Sequence, residues 1–169
     1  MTEDISSCAS LGIPTYLHRN SREPDQNFDN KNERLFRRIE DPDHINNGNI
    51  RPAALTTRNQ SVNREKHSRN PTDVLYNINS KQHFNKHGIC SFSVADVEDI
   101  CISHPDLDIV YTLGLEHDPE ECMYPHTIIE VLTTNPPPKR IAPTVKTKLK
   151  ADLARKAHLD KDVDKETKL

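Results

Sequence analysis

The sequence contains no tryptophan, only 4 glycines, and an aromatic fraction of just 5%. Enzymes that hold phosphates on glycine-rich loops carry a P-loop or dinucleotide-binding motif, and neither pattern occurs in this sequence. The Gly-x-Ser-x-Gly turn of α/β-hydrolases and the His-Glu-x-x-His helix of metalloproteases are also missing. The enzyme classes with the clearest sequence signatures are therefore excluded.

Long apolar runs are missing as well. No stretch approaches the roughly 18 apolar residues that a membrane-spanning helix needs. The first ten residues, MTEDISSCAS, lack the basic and apolar regions of a signal peptide. None of the four cysteines, Cys8, Cys90, Cys101 and Cys122, forms a Cys-x-x-Cys pair. These features predict a cytoplasmic protein with free, mostly buried thiols and no membrane contact.

The composition indicates a folded core with polar ends. Apolar residues make up 33% of the chain, and 12 prolines accompany the few glycines. Polar segments bury too little apolar surface to offset the entropy cost of ordering them. We therefore predict a polar N-terminal arm at 1–33, an α+β core domain at 34–134, and a Pro-rich linker with a basic, partly helical tail at 135–169.

The core pattern predicts a single small α+β domain, with a mixed or antiparallel sheet, about two helices, and flexible N- and C-terminal extensions. Strands are predicted at 35–39, 88–93, 108–115 and 126–132. Helices are predicted from the Asn70-Pro71 start to before Gly88, at 94–102 after a Ser93 cap, and at 145–159 in the tail. The polar stretch 56–70 is predicted to be a surface loop with a functional role, and the proline run 135–138 is predicted to be an extended polyproline segment.

Charge is divided unevenly along the chain. Residues 34–69 contain eight Arg or Lys against four Asp or Glu, whereas residues 88–138 contain ten acidic residues and no Arg or Lys. This division favours either internal ion pairing or a two-sided surface that binds a partner. The tail at 139–158 carries seven basic residues and one acidic residue, so it is a candidate for contacting nucleic acid or a protein partner.

Four residues are candidates for a catalytic site: Arg38, Ser61, Arg64 and His126. Guanidinium groups and hydroxyls suit a phosphate, and a histidine suits general acid–base catalysis. If the four residues surround one pocket, they fit a small enzyme acting on a nucleotide or nucleic-acid phosphate. If they pair separately with acidic residues, they are structural.

Two further sites are possible from the residue types. A metal site would draw on a cluster of ligand-type side chains, namely His117, Asp118, Glu120, Glu121, Cys122 and His126, with Cys101 and His104 upstream. An ADP-ribosyltransferase-like site would use Arg38, then Thr56-Thr57 or Ser61, and finally Glu130. The sequence lacks the Ser-Thr-Ser run and the Glu-x-Glu pair of those enzymes.

Several short motifs follow one another along the chain: Arg37-Arg38 at the end of the first strand, Ser61 to Glu65, Asn70 to Leu75, Asp118-Pro119, and Pro125-His126. Their order resembles a family of small bacterial domains with no assigned activity. The likeness spans roughly residues 34–132. The sequence differs where Phe36 replaces a tyrosine and Asn-Pro-Thr-Asp replaces the usual helix start. The resemblance implies a bacterial or phage origin and a shared fold, with no activity attached.

Taken together, the sequence favours a binding or accessory component of a bacterial or phage system. A protein partner is expected, a nucleic-acid partner is possible, and no cofactor is identified. The alternative is the small phosphate-directed enzyme. A shared concave site for the candidate residues distinguishes the two.

Overall fold

The computed structural model describes residues 5–134 and 140–164. The predicted proline segment at 135–138 lies outside the described residues. Within the described residues, three α-helices and nine strands occur: α1 Ile5–Ser10, β1 Arg34–Ile39, β2 Ile45–Asn46, β3 Asn49–Ile50, β4 Gln60–Arg64, β5 Gly88–Ser93, α2 Val94–Glu98, β6 Cys101–Ser103, β7 Val110–His117, β8 His126–Thr133, α3 Pro143–Lys156 and β9 His158–Lys161. No helix in these residues is long and apolar enough to cross a membrane.

The fold is a small single α+β domain, which confirms the predicted class. The described strands form a seven-stranded sheet in the order β6-β7-β8-β4-β1-β5-β9, and every neighbouring pair is antiparallel. Strands β2 and β3 make a separate hairpin. Short 3₁₀ turns connect several elements, the longest being Pro71–Leu75. The central strands β8, β4 and β1 come from distant parts of the chain.

The larger hydrophobic core lies between one face of the sheet and the helices α2 and α3. Leu35 and Val62 are two of the sheet residues buried there. From α3, Val145, Leu149 and Leu153 are buried in the same cluster. Their spacing places the three side chains on one side of the helix, as the tail pattern predicts.

The opposite face of the sheet carries a smaller apolar cluster. Phe36 and Ile89 from adjacent strands are buried against Leu75 of the 3₁₀ turn. Val74 and Phe84 pack against this cluster from the segment that follows β4. The segment covers only part of the face, and the uncovered part forms the floor of a cleft.

The predicted surface loop at 56–70 is corrected, because its middle forms β4, a central strand. Gln60, Asn63 and Arg64 are all buried although they are polar. Their side chains bond to the backbone of Thr56, the sulfur of Met123 and the carboxylate of Glu33 respectively. Burial of polar groups is tolerable when they are hydrogen-bonded, so a polar sequence can form a central strand, although Gln60 Nε2 has no hydrogen-bond partner among the described residues.

The helix predicted from Asn70 towards Gly88 is much shorter than expected. Only Pro71–Leu75 is helical, and it is a 3₁₀ turn. The Asp73 carboxylate accepts hydrogen bonds from the backbone N–H groups of Arg69 and Asn70. The next helix, α2, begins as predicted with a Ser93 cap, whose hydroxyl accepts from Asp96 N. It ends at Glu98, because β6 follows from Cys101.

Both predicted extensions contribute described residues that pack against the rest of the domain. In the N-terminal part, Ile13 and Leu17 are buried, and the Leu17 carbonyl accepts a hydrogen bond from Tyr124 N. In the C-terminal part, β9 pairs with β5 at the edge of the sheet. A Cβ added to Gly88 would lie 2.7 Å from the Lys161 carbonyl, so the close approach of β9 requires glycine there.

The prediction of four free thiols is wrong for two of them. Cys8 and Cys122 form a disulfide that joins residues 114 positions apart. Cys90 is free and buried, and burial raises the pKa of its thiol to about 12. Cys101 is free and exposed. Spacing along the chain gives no indication of this pairing, because the two cysteines approach only after α1 packs against the loop between β7 and β8.

Candidate functional site

The register of three central strands places the candidate residues on one face. Phe36 of β1 lies opposite Asn63 of β4, and Asn63 lies opposite His126 of β8. Side chains two residues apart on a strand share a face. Ser61, two residues before Asn63, and Arg38, two residues after Phe36, therefore lie on the same face as His126.

Ser61 and His126 form a hydrogen-bonded pair. Ser61 Oγ lies 2.6 Å from His126 Nε2, although the residues are 65 positions apart in the chain. Ser61 is exposed, whereas the His126 side chain is only 12% exposed. The hydroxyl is thus accessible while its partner ring is held in place.

The second ring nitrogen of His126 determines the direction of this hydrogen bond. His126 Nδ1 lies 2.7 Å from the backbone carbonyl of Asp118. A carbonyl oxygen only accepts, so Nδ1 carries the proton and donates it. In the neutral ring Nε2 is then the acceptor, and the Ser61 hydroxyl donates to it. This is the orientation in which a histidine can remove a proton from a serine.

Two carboxylates lie near the same ring. Asp118 Oδ2 is 3.9 Å from Nδ1, and Glu120 Oε1 is 3.8 Å from Nε2. Both distances exceed a hydrogen bond, so neither carboxylate is bonded to the ring. The loop between β7 and β8 therefore supplies both the carbonyl that orients the ring and two carboxylates beside it.

Ser61 and His126 line a cleft of about 510 Å³. Ser61 and His126 form part of the floor, and the wall opposite comes from the segment after the 3₁₀ turn, including Tyr76, Asn77 and Asn79. Small-molecule sites commonly measure about 300–1,000 Å³. The cleft therefore has the size of a small-molecule site with a serine hydroxyl at its base.

Arg37 lines the cleft with its guanidinium bound only to backbone. Nη1 donates to the Ser61 carbonyl at 3.1 Å, and Nε and Nη2 donate to the Ala54 carbonyl at 3.3 and 3.2 Å. Arg37 forms no ion pair with any residue that the structure describes. Burial lowers the pKa of the Arg37 guanidinium, because desolvation penalises its charge.

Arg38 lines the same cleft in a different setting. Its guanidinium carbon lies 3.7 Å from the ring centroid of Phe84, and Nη2 donates to Glu40 Oε1 at 3.0 Å. The Glu40 side chain is 66% exposed, so the ion pair is weakened by solvent. The aromatic contact holds the arginine in position while much of its donor capacity stays accessible.

Arg64 does not reach the cleft, and this corrects its predicted place among the site residues. It lies on the opposite face of β4, fully buried, with Nε and Nη2 bound to the two carboxylate oxygens of Glu33 at 2.9 and 2.8 Å. It also donates to the backbone carbonyls of Asp25 and Asn27. The position alternates with Asn63 along the strand, which sends Arg64 into the interior.

Two histidines complete the buried network around Arg64. His117 Nδ1 accepts from Asp25 N at 2.7 Å, and its Nε2 donates to the Tyr124 carbonyl at 2.6 Å. His67 stacks on His117 with ring centroids 5.2 Å apart. Burial lowers the pKa of both histidines, which are therefore held neutral. The Lys66 ammonium bound to Asp25 holds the pKa of that carboxyl well below its usual range.

The two alternative sites gain no support from the geometry. Among residues 5–134 and 140–164, no group of three or more His, Cys, Asp or Glu is arranged to hold a metal ion, and Cys122 is in the disulfide. For the ADP-ribosyltransferase-like pattern, Glu130 is outside the residues that line the cleft, and its carboxylate accepts from Asn59 N.

The sequence did not indicate several contributors to the cleft. The Asp118 contribution is a backbone carbonyl, which no side-chain pattern reveals. The sequence pattern predicts Phe84 and Tyr76 within a helix and not in a cleft wall. Their approach to β1 and β4 depends on the turn at Pro71–Leu75, and the only local signal of that turn is the Asn70-Pro71 start.

Comparison of the chain with protein-family models, with curated proteins and with solved structures finds no significant match.

Proposed function

We propose that this protein is an enzyme of the hydrolase or transferase class, with Ser61 as nucleophile and His126 as its general base. The observation that carries the proposal is the 2.6 Å contact between Ser61 Oγ and His126 Nε2, with His126 Nδ1 held by the Asp118 carbonyl. The pair lies in a cleft of small-molecule size.

The proposed reaction follows from the direction of the hydrogen bonds. As Ser61 Oγ forms a bond to an electrophilic phosphorus or carbon, its proton passes to His126 Nε2. The carboxylates of Asp118 and Glu120 stabilise the resulting imidazolium. The imidazolium then gives the proton to the leaving group as its bond breaks. Water, or a second substrate, releases the group from Ser61 by the reverse proton path.

The binding or accessory role favoured by the sequence loses one of its two supports. That role drew on the polar loop at 56–70 and on the charge-divided surface. The middle of the loop is the central strand β4, so the charge division is the support that stays. A protein or nucleic-acid partner and a bacterial or phage origin stay predictions. A cytoplasmic location also stays a prediction, and the Cys8–Cys122 disulfide argues against a reducing compartment.

Covalent labelling tests the proposal. A fluorophosphonate reacts with an activated serine by forming an Oγ–P bond while fluoride leaves and the hydroxyl proton passes to the base. We expect peptide mass spectrometry to find the label on Ser61, with at least tenfold slower labelling in His126→Ala. Labelling of Ser61 no faster than that of the exposed Ser103, or an unchanged rate in His126→Ala, contradicts the proposal.

A further inference from the structure

Arg37 brings a positive charge to the cleft beside Ser61, and it forms no ion pair with a described residue, although the carboxylates of Glu40 and Glu120 also line the cleft. Arg37 has five N–H donors and uses three of them on the carbonyls of Ala54 and Ser61. A buried charge without a counter-ion is costly, and such groups normally pair with an opposite charge. The two remaining donors of Arg37 are therefore available to an anion that enters the cleft.

Arg38 provides a second guanidinium lining the same cleft. Its contact with Phe84 restricts the side chain, so less side-chain entropy is lost when Arg38 binds a ligand. Its pairing with Glu40 involves one nitrogen, and the exposed carboxylate can move into solvent. A ligand with several acceptor oxygens can thus bind Arg38 without leaving a carboxylate buried.

We propose that Arg37 and Arg38 form a subsite for the phosphate group of a small phosphate monoester, placed next to Ser61. This inference rests on the proposed function and specifies its substrate class. A phosphate has more acceptor oxygens than a carboxylate, and it matches two guanidinium groups better. The Arg37 contact to the Ser61 carbonyl ties the subsite directly to the nucleophile.

The shape and lining of the cleft select among phosphate-bearing ligands. Its volume of about 510 Å³ accommodates a mononucleotide-sized molecule, and the polar wall at Asn77 and Asn79 can bind the remainder of the ligand. A nucleic-acid strand would instead need a continuous groove with stacking aromatics. Phe84 is already in contact with Arg38 and with His87, so it is not a free platform for a base.

Calorimetric titration at constant ionic strength tests the subsite. The probes are inorganic phosphate, adenosine monophosphate and a single-stranded oligonucleotide. We expect saturable binding of both small ligands to the wild type, with the monophosphate binding more tightly than phosphate. Binding should weaken at least tenfold in Arg38→Gln and remain unchanged in Arg58→Gln, a matched variant at an exposed position outside the cleft. Tighter binding of the oligonucleotide overturns the assignment to a small ligand.

Arg37→Gln is a second variant, expected to weaken binding similarly. Because Arg37 also binds two backbone carbonyls, thermal unfolding of Arg37→Gln is measured alongside. If Arg37→Gln fails to fold, Arg38→Gln alone decides the result. No phosphate binding to the wild type, or equal binding in Arg38→Gln, overturns the subsite.

Ser61→Ala separates the two proposals, because it removes the nucleophile and should keep phosphate binding. Labelling of Ser61 without phosphate binding refutes the subsite alone. Phosphate binding without Ser61 labelling refutes the catalytic role alone.

Discussion

The two faces of β4 hold their polar side chains in opposite ways. On the interior face, Arg64 is fully buried, and its guanidinium is bound by the Glu33 carboxylate and two backbone carbonyls. On the cleft face, Ser61 is exposed, and the ionic partner of Arg38 is the exposed carboxylate of Glu40. Both faces belong to one strand of five residues. The comparison teaches that unsatisfied polar capacity, rather than polarity itself, distinguishes the candidate site from the structural network.

Removing the interior arginine, Arg64, should cause the largest loss of stability among these variants. Arg64→Leu leaves Glu33 buried and unpaired, so we expect the free energy of unfolding to fall by about 3–5 kcal/mol. Chemical denaturation measures the loss. Arg38→Leu on the cleft face is the matched variant and should cost less than about 1 kcal/mol, because its ion pair is exposed. Equal losses in the two variants would remove the distinction between the faces.

A double replacement sharpens the same comparison. Arg64→Leu with Glu33→Leu removes both buried charges, so part of the lost stability should return. A double variant as unstable as the sum of the two single variants would mean that the pair does not act as a unit.

Removal of the disulfide is expected to have the next largest effect on the free energy of unfolding. The bond holds the loop between β7 and β8, which contacts residues on both faces of the sheet. Cys122 lies between Asp118, which orients His126, and Tyr124, which binds His117. Replacing Cys8 and Cys122 together by serine frees a loop of more than 100 residues and should lower the free energy of unfolding by about 2–4 kcal/mol. Cys101→Ser, at an exposed free thiol, is the control. Four titratable thiols in the unreduced, denatured wild type would contradict the bond.

A pH effect should follow from the histidines of the interior network. The folded-state pKa of His117 lies below the ordinary value of 6.5, because burial penalises the charged ring. The unfolded chain therefore binds more protons, and stability is complete above the unfolded pKa and falls as the pH drops towards the folded one. Thermal unfolding between about pH 8 and pH 5 should show this decline.

His117→Gln tests the assignment of that pH effect. The variant should be less stable at neutral pH and lose stability less steeply with acid. His158→Gln, at a side chain that is 75% exposed, should keep the wild-type slope. A wild-type slope in His117→Gln would mean that other groups cause the acid sensitivity.

The smallest change in stability is expected on the cleft face. Ser61→Ala removes one hydrogen bond at an exposed position, so the free energy of unfolding should change by about 1 kcal/mol or less. Fluorophosphonate labelling should nevertheless disappear from the cleft. A loss of stability comparable to that of Arg64→Leu would assign Ser61 a structural role.

The sequence pattern predicts the elements whose apolar residues alternate or repeat. The pattern predicts β5 with the bounds that the structure shows, and it predicts that α2 begins after the Ser93 cap. It also predicts a helix from the helical spacing of Val145, Leu149 and Leu153. It misses β4, because the strand is polar and is stabilised by partners far away in the chain. Propensity describes neighbours along the chain, whereas these hydrogen bonds depend on tertiary structure.

The candidate site was predictable in part. The residue types point to Arg38, Ser61 and His126, and the register places all three on one face. The same reasoning includes Arg64. Residues 60–64 are not predicted to be a strand, so the sequence gives no reason to place Arg64 on the face opposite Asn63. The disulfide and the Asp118 carbonyl depend on the path of the loop between β7 and β8, which no local pattern in the sequence encodes.

The central claim concerns the proton on His126, and nitrogen NMR of the ring tests it most directly. With the ring neutral, we predict a protonated Nδ1 and an unprotonated Nε2, because the Asp118 carbonyl must accept from Nδ1 and the Ser61 hydroxyl donates to Nε2. Ser61→Ala should retain this tautomer, since the carbonyl alone fixes it. A proton on Nε2 in the neutral wild-type ring would contradict the account, because His126 would then have no lone pair to accept the Ser61 proton.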